Sequence, residues 1–322
     1  MSQEKLCSKN LQAATQVAVK LIIPWLARIE PYQDGFIVSE KIRLIDVGAR
    51  GGIHSRWIPF YEMLDVLAFE PDKKECAALN LKKYPYPIRF LPTALGAQNN
   101  QQVILYICKQ PGCSSVLRPN NTFCNQFPYA PAMEVIDEYP VILNRMDLAC
   151  ADFQPDIIKI DIQGTELDVL KGAGQLLEDT LAIELEIGFV PQYIGQALFP
   201  EVDIFLREQG LMLRGLRRTY WRTKATQRHA FGGQLIHGDA FYIRPDRINC
   251  PKGHIILSAY RQYDLLAYYG ATQLIPKKSM FVRFLSLLLS RYPNTNLRRL
   301  IDKIRPNNAT DWHDPDFFKV SE

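Results

Sequence analysis

No Cys-x-x-Cys pair occurs in this chain of 322 residues, and no group of cysteines and histidines has the spacing of a metal site. The seven cysteines (Cys7, Cys76, Cys108, Cys113, Cys124, Cys150 and Cys250) are odd in number and scattered. A disulfide framework is therefore not expected, and a reducing cytoplasm accounts for them better. Excess charge is lacking too: a formal net charge of +4 is too small to argue for nucleic acid as a partner of the whole protein. No apolar run reaches the length of a membrane span. The N-terminus carries Lys5, Lys9 and Lys20 without a clean apolar core, so a secretory signal is not expected. The Gly-x-Gly-x-x-Gly dinucleotide fingerprint is also missing. With 47% hydrophobic and 22% charged residues, what remains is an ordinary globular chain, long enough for one large core plus extensions.

What the chain does have is an organising stretch, Lys41-Ile-Arg-Leu-Ile-Asp46-Val-Gly48-Ala49-Arg50-Gly51-Gly52. An apolar run ends in an acid and a glycine-rich turn, and Trp57, Ile58, Phe60, Met63 and Leu64 follow at mostly helical spacing. Strand, turn and helix in this order predict the opening unit of a doubly wound α/β sheet. A carboxylate, Asp46, stands where the first glycine of a dinucleotide loop belongs. It repels a pyrophosphate but suits a cofactor that presents an ammonium or hydroxyl, which favours S-adenosylmethionine over NAD. A turn that binds nothing is the plainer alternative. The second strand, Asp65 to Phe69, ends in Glu70, placed to accept hydrogen bonds from ribose hydroxyls.

Further along, Lys73 to Lys83 predicts a helix with Cys76, Leu79 and Asn80 inward, ended by Pro85 and Pro87. Ile88 to Gly96 predicts a third strand and its cofactor-side loop, which contains Ala94 and Leu95, and Val103 to Cys108 a strand of hairpin type. From Pro111 to Pro140 the pattern breaks down, as in a lid or binding loop or a solvated one, and Ser114-Ser115 are its candidates to face a substrate. Ile157 to Ile160 and Leu181 to Ile187 predict strands, Leu167 to Ala173 and Asp203 to Gln209 helices, and Met212 to Leu216 with Ala240 to Arg244 an antiparallel sheet edge. Residues 1–40 form an N-terminal extension whose helix, 10–29, packs on the domain or on a second copy in a homodimer. Residues 246–322 form a basic, helical C-terminal extension with an acidic tail. Within it Phe281, Phe284, Leu285 and Leu288 make an apolar stripe, so 279–291 either touches a membrane peripherally or packs on its own domain.

Asp46-Val-Gly48-Ala49, Phe69-Glu70-Pro71 and above all Ile158-Lys-Ile-Asp161-Ile-Gln-Gly164-Thr-Glu166-Leu-Asp-Val-Leu-Lys171-Gly-Ala173 resemble the FkbM family of class I methyltransferases. The resemblance runs from residue 41 to about 245, roughly two thirds of the chain, and the last stretch is its most specific part. It implies a mostly parallel, seven-stranded Rossmann-like sheet with helices on both faces. It also implies S-adenosylmethionine as cofactor and transfer of its methyl group to a hydroxyl of a sugar, glycan or related natural product. Arg50 stands where an asparagine or histidine is more usual; it can pair with the methionine carboxylate or point to solvent.

On this reading the cofactor is held by Asp46, Gly48, Ala49, Arg50, Gly51, Glu70, Ala94, Leu95 and Asp161, and no metal is expected. The candidate catalytic residues are Asp161, Glu186 and His54. Asp161 closes its strand where ligands sit in open parallel sheets, and can anchor the ammonium, bind the acceptor hydroxyl or take its proton. It can also merely cap the next helix. Glu166 is read as serving the helix dipole. Glu184 and Glu186 share one face of their strand. Of the other histidines, His229 and His237 fall near the late strands, His254 and His313 outside the resemblance. The alternatives are a non-catalytic binding module on the same fold, and a dehydrogenase.

Overall fold

The structure is a computed structural model that describes residues 40–226 and 233–275. The expected helix at 10–29, His229, His313 and the stripe at 281–288 lie outside those residues.

Strand β1 (Ile42–Val47) shows why the chain folds in layers. Successive side chains of a strand point to opposite faces. Ile42 and Leu44 enter one core with Trp57, Phe60 and Val66, whereas Ile45 and Val47 enter another with Leu67, Phe69, Ile158 and Ile160. A strand buried on both sides belongs in a covered parallel sheet. β1 indeed pairs in parallel with β2 (Leu64–Phe69) and β7 (Ile157–Ile160), β2 with β3 (Ile88–Leu91), and β7 with β8 (Ala182–Gly188). β10 (Gln234–Ile243) runs antiparallel to β8, and β9 (Met212–Trp221) antiparallel to β10. The resulting seven-stranded order is β3-β2-β1-β7-β8-β10-β9. The chain winds outward from β1 in one direction and from β7 in the other, so the β1/β7 boundary is the switch point where such folds bind ligands.

Helices cover both faces. Helix α1 (Lys73–Asn80) follows β2, with Asp72 accepting the amides of Lys74 and Glu75 as its N-cap. Helices α2 (Glu166–Lys171) and α3 (Phe199–Glu208) pack on one side, contributing Leu167, Val169, Leu170, Val202 and Leu206 to its core. On the other side Ile255, Ile256 and Leu257 of α4 (Pro251–Ala259) and Leu266 of α5 (Tyr263–Tyr268) join the core with Ile42 and Trp57. No helix of the described residues is long and apolar enough to cross a membrane.

Several local expectations need correction. The segment after the glycine turn is a 3-10 helix, Ser55–Met63, with Pro59 inside it. Proline lacks the amide that an α-helix needs there. α1 stops at Asn80, whose side chain is not inward: it reaches out to bond the backbone of Phe90 in both directions. The irregular stretch ends at Glu134, because Pro140 sits inside β6 (Val135–Asn144). β6 pairs antiparallel with β5 (Gln101–Cys108) and meets β4 (Ala94–Leu95) only at Leu143 and Asn144, so Pro140 has an unpaired side for its missing donor. These strands form a second, three-stranded sheet ordered β4-β6-β5, which the strand alternation did not reveal.

Candidate active site

Gly48 fixes the floor of the site. Its φ of +84° is open to glycine, and a Cβ built there would lie 1.9 Å from the carbonyl oxygen of Asp161. The ends of β1 and β7 can therefore close on one another, with the Asp161 amide donating to Val47 O at 2.9 Å. Above this floor lies a cleft of about 240 Å³, lined by Gly48, Arg50, Glu70, Ala94, Leu95 and Asp161 among the residues expected to hold the cofactor. The second sheet supplies its far wall through Leu105, Ile107 and Leu143.

Glu70 is 3% exposed, yet it lines the cleft. Its Oε1 accepts the Asp72 amide at 2.9 Å, and Arg50 Nη2 stands 3.5 Å away. Oε2 has no hydrogen-bond partner among the described residues, which leaves it for a ligand. Burial raises the Glu70 pKa, opposed by the Asp72 amide and the Arg50 charge. Arg50, half-buried, is tied within the protein: its Nη2 binds Asp72 Oδ2 at 2.8 Å.

Asp46, Ala49, Gly51, His54 and Glu186 do not line this cleft. Asp46 lies beneath it, 1% exposed, and takes Lys159 Nζ at 3.1 Å from the neighbouring strand. Burial raises the Asp46 pKa against the pull of Lys159. Ala49 is buried, and Gly51 donates its amide to Glu75 at 3.1 Å. His54 caps the 3-10 helix; its Nδ1 accepts both the amide and Nε of Arg56 at 3.0 Å, so that lone pair is taken. Arg56 in turn pairs with Glu184 at 3.0 Å, and Tyr260 donates to the same carboxylate at 2.6 Å. Glu184 is thus held in a buried cluster, whereas Glu186, on the same strand face, binds His237.

The loop after β7 departs from a helix cap. Asp161 accepts no amide of α2, whose N-cap position is Thr165 without a side-chain bond. Its Oδ1 takes Gln163 Nε2 at 3.1 Å. The loop is closed instead by buried Glu166, which accepts the amides of Ile162 at 3.1 Å and Gly164 at 3.0 Å. Burial, reinforced by the Glu186 charge, pushes the Glu166 pKa up to about 8. Gln163 is left with a φ of +65°, rare for a residue with a side chain. That side chain explains why the conformation holds: Nε2 donates to Asp161 and, at 2.7 Å, to Glu186, while Tyr193 OH lies 2.9 Å from Oε1. Ser114 and Ser115 line the cleft but are tied to the backbone, Ser114 Oγ by the amide of Cys108 and Ser115 Oγ by donation to Gln163 O at 2.7 Å.

A second cleft of about 260 Å³ shares Gly112 and Gln163 with the first. Cys113, Tyr129, Glu186, Tyr193, Trp221 and His237 are among its lining residues. Burial raises the Cys113 thiol pKa, which keeps it a poor nucleophile. His254 lies apart, with Nε2 2.8 Å from Asn249 Oδ1. No group of acids, histidines and cysteines that could hold a metal exists among the described residues.

Sequence reasoning gave no role to Lys159, Trp221 and Tyr129, and placed His237 among the histidines near the late strands without a partner. Lys159 did leave a signal, as the one charge in an otherwise apolar strand, since a buried charge requires a partner. For His237 the residue type was visible but its partner was not, because Glu186 lies 51 positions away.

A doubly wound sheet with an acid at the end of β2 and a cleft at its switch point defines a protein that binds a nucleoside-bearing cofactor. The family described as Methyltransferase FkbM domain matches residues 46–211, more than half of the chain, and the chain belongs to that family. It is an S-adenosylmethionine-dependent methyltransferase. No curated protein matches it. Among solved structures, the precorrin-6y C5,15-methyltransferase from Geobacter metallireducens GS-15 overlaps at 13% identity and a TM-score of 0.33, over 64% of this chain and 82% of that one. Magnesium protoporphyrin IX methyltransferase from Synechocystis PCC 6803, with bound S-adenosylmethionine, gives 11%, 0.32, 73% and 82% for the same quantities. A TehB-like S-adenosylmethionine-dependent methyltransferase from Corynebacterium glutamicum ATCC 13032 gives 10%, 0.31, 64% and 82%. The assignment rests on the family match and the sheet order rather than on these overlaps.

The residues present fit the cofactor. The free Oε2 of Glu70 suits ribose hydroxyls, and Asp161 at the end of β7 suits an ammonium. When bound, the cofactor supplies a methyl group on a sulfonium.

Proposed function

We propose that the protein methylates a hydroxyl oxygen of a saccharide, a glycoconjugate precursor or a related natural product. The observation that supports this reading is the chemistry beside the cofactor cleft. Asp161, Glu186 and His237 are proton acceptors, and no lysine or arginine is among the described residues that line the second cleft. A hydroxyl must lose its proton as its oxygen takes the methyl group, and a positioned base speeds that loss. Asp161 is the candidate on the cofactor side. The cysteines of the described residues are all free, which suits a reducing cytoplasm.

The test is incubation of the full chain with methyl-labelled S-adenosylmethionine and a protein-free cell extract containing small molecules and glycans. Mass spectrometry then locates the label. An O-methyl ether is the expected product. Label only on nitrogen, carbon or sulfur, or none on any molecule, overturns the reading.

A further inference from the structure

The two clefts meet at Gln163, and the second contains His237. His237 and Glu186 belong to neighbouring antiparallel strands, where His237 pairs with Gly188 and Asp239 with Glu186. The histidine is thus diagonal to the glutamate, and Nδ1 contacts Glu186 Oε1. A register shift between Leu235 and His237 leaves Ile236 as an extra residue in β10 at this point. Such bulges re-aim the side chain beside them. Glu186 is itself held on its other oxygen by Gln163, which also holds Asp161. One amide therefore ties the β7 end of the cofactor cleft to the histidine of the second cleft.

We propose that the second cleft receives the methyl acceptor and that His237, oriented by Glu186, takes the proton of the reacting hydroxyl. This rests on the reading of the protein as a hydroxyl methyltransferase and assigns its acceptor site and base. With Nδ1 on the carboxylate, Nε2 is the ring nitrogen left to receive a proton. The acceptor oxygen–carbon bond forms as the carbon–sulfur bond breaks, its electron pair stays on sulfur, and the hydroxyl proton passes to Nε2. His237 is the catalytic residue and Glu186 the positioning residue.

The walls define the acceptor's chemistry. Trp221 and Tyr129, with centroids 4.9 Å apart, present an aromatic surface, and Trp221 stands edge-on to His237 at 6.4 Å. Glu186 at the cleft and Asp161 beyond Gln163 disfavour an anion. The surface fits an uncharged ring with an apolar face and hydroxyl edges, as in a pyranose.

Charged groups around His237 set its titration. Glu186 on β8, Asp239 on β10 and Asp161 after β7 all favour the imidazolium, with Asp239 held by Arg217 of β9 at 2.7 Å. Burial disfavours the imidazolium, but the carboxylates prevail, so the pKa lies above the ordinary histidine value. Turnover therefore falls on the acid side as His237 protonates, and replacing Glu186 moves that limb to lower pH.

The experiment compares wild type, His237→Gln and Glu186→Gln with labelled cofactor and the extract described above, across pH. Calorimetry with S-adenosylhomocysteine and NMR of ring-labelled histidine accompany it. His237→Gln is expected to lower label transfer at least about a hundredfold while the S-adenosylhomocysteine Kd stays within about twofold. Glu186→Gln is expected to shift both the acid limb and the His237 titration downward. Wild-type transfer by His237→Gln overturns the proposal and leaves the methyltransferase reading standing, whereas no O-methyl product from wild type overturns both. If His237→Gln fails to fold, an unmoved acid limb in Glu186→Gln overturns the base assignment on its own.

Discussion

Lys159 Nζ lies 3.1 Å from Asp46 Oδ1, directly across the β1/β7 pairing on which the cleft is built. Each residue answers for the other's charge. Burial disfavours the Asp46 carboxylate and the Lys159 ammonium, and their mutual attraction offsets that cost. Breaking such a pair by removing one partner costs about 3–5 kcal/mol, whereas replacing both by apolar groups of similar volume is often neutral. Lys159→Met is therefore expected to lower the melting temperature sharply, and Asp46→Leu/Lys159→Met to recover most of the loss. Thermal unfolding of the single and double variants checks this. If the double variant melts as low as the single one, the pair is not the cause.

This pair shows where a sequence stops being readable. The acid of the glycine turn was recognisable and its charge suggested a cofactor's ammonium or hydroxyl, but the carboxylate lies beneath the cleft and pairs with Lys159. What the one-dimensional pattern cannot show is that Lys159, 113 positions away, is its cross-strand neighbour. Strand alternation and the glycine turn were enough for the parallel sheet and its antiparallel edge, because those are local periodicities. The small sheet of β4, β5 and β6 escaped because β4 has only two residues and β6 contains a proline. Glu70 and Asp161 were legible for the same reason as the sheet: each ends an apolar strand. The setting of His237 was not, since it depends on a strand pairing and a bulge.

Glu70 combines burial with one carboxylate oxygen that has no protein partner among the described residues. A charge-assisted hydrogen bond from a ribose hydroxyl contributes about 1.5–3 kcal/mol. Glu70→Ala is expected to weaken S-adenosylhomocysteine binding roughly ten- to hundredfold by calorimetry. Glu70→Gln separates the charge from the loop, because it can still accept the Asp72 amide. An unchanged Kd in both folded variants would take Glu70 out of the site.

Glu166 links loop closure to pH. Its pKa in the folded protein is pushed up to about 8 from the ordinary 4.5. The folded state therefore holds this proton where the unfolded chain has lost it. The resulting stability is fully present below about pH 4.5 and is lost as pH rises to about 8. Glu166→Gln does not titrate. The difference in stability between variant and wild type should move in the variant's favour across that window and level off beyond it. Chemical denaturation of both proteins at several pH values reads the difference directly, and a flat difference would mean that Glu166 ionises in the fold as it does in the open chain.

Asp161 is proposed to act where the cofactor cleft opens toward the acceptor. Its backbone completes the floor of the cleft, with its amide on Val47 and its carbonyl against Gly48. Its carboxylate lines the cleft, takes Gln163 Nε2 and caps no helix, so removing the charge should cost the fold little. Asp161→Asn keeps the size and leaves an amide oxygen able to accept from Gln163. If Asp161 aligns the acceptor hydroxyl or the cofactor's ammonium, the variant should melt close to wild type and transfer methyl at least about a hundredfold more slowly. The S-adenosylhomocysteine Kd divides those two roles: an unchanged Kd assigns the carboxylate to the acceptor, and a weakened one to the ammonium. Loss of charge at Asp161 also removes one of the carboxylates that favour the His237 imidazolium. The acid limb of whatever transfer remains should therefore move to lower pH. Wild-type turnover with an unshifted limb would place Asp161 outside the reaction and leave Glu186 and His237 to carry the acceptor side alone.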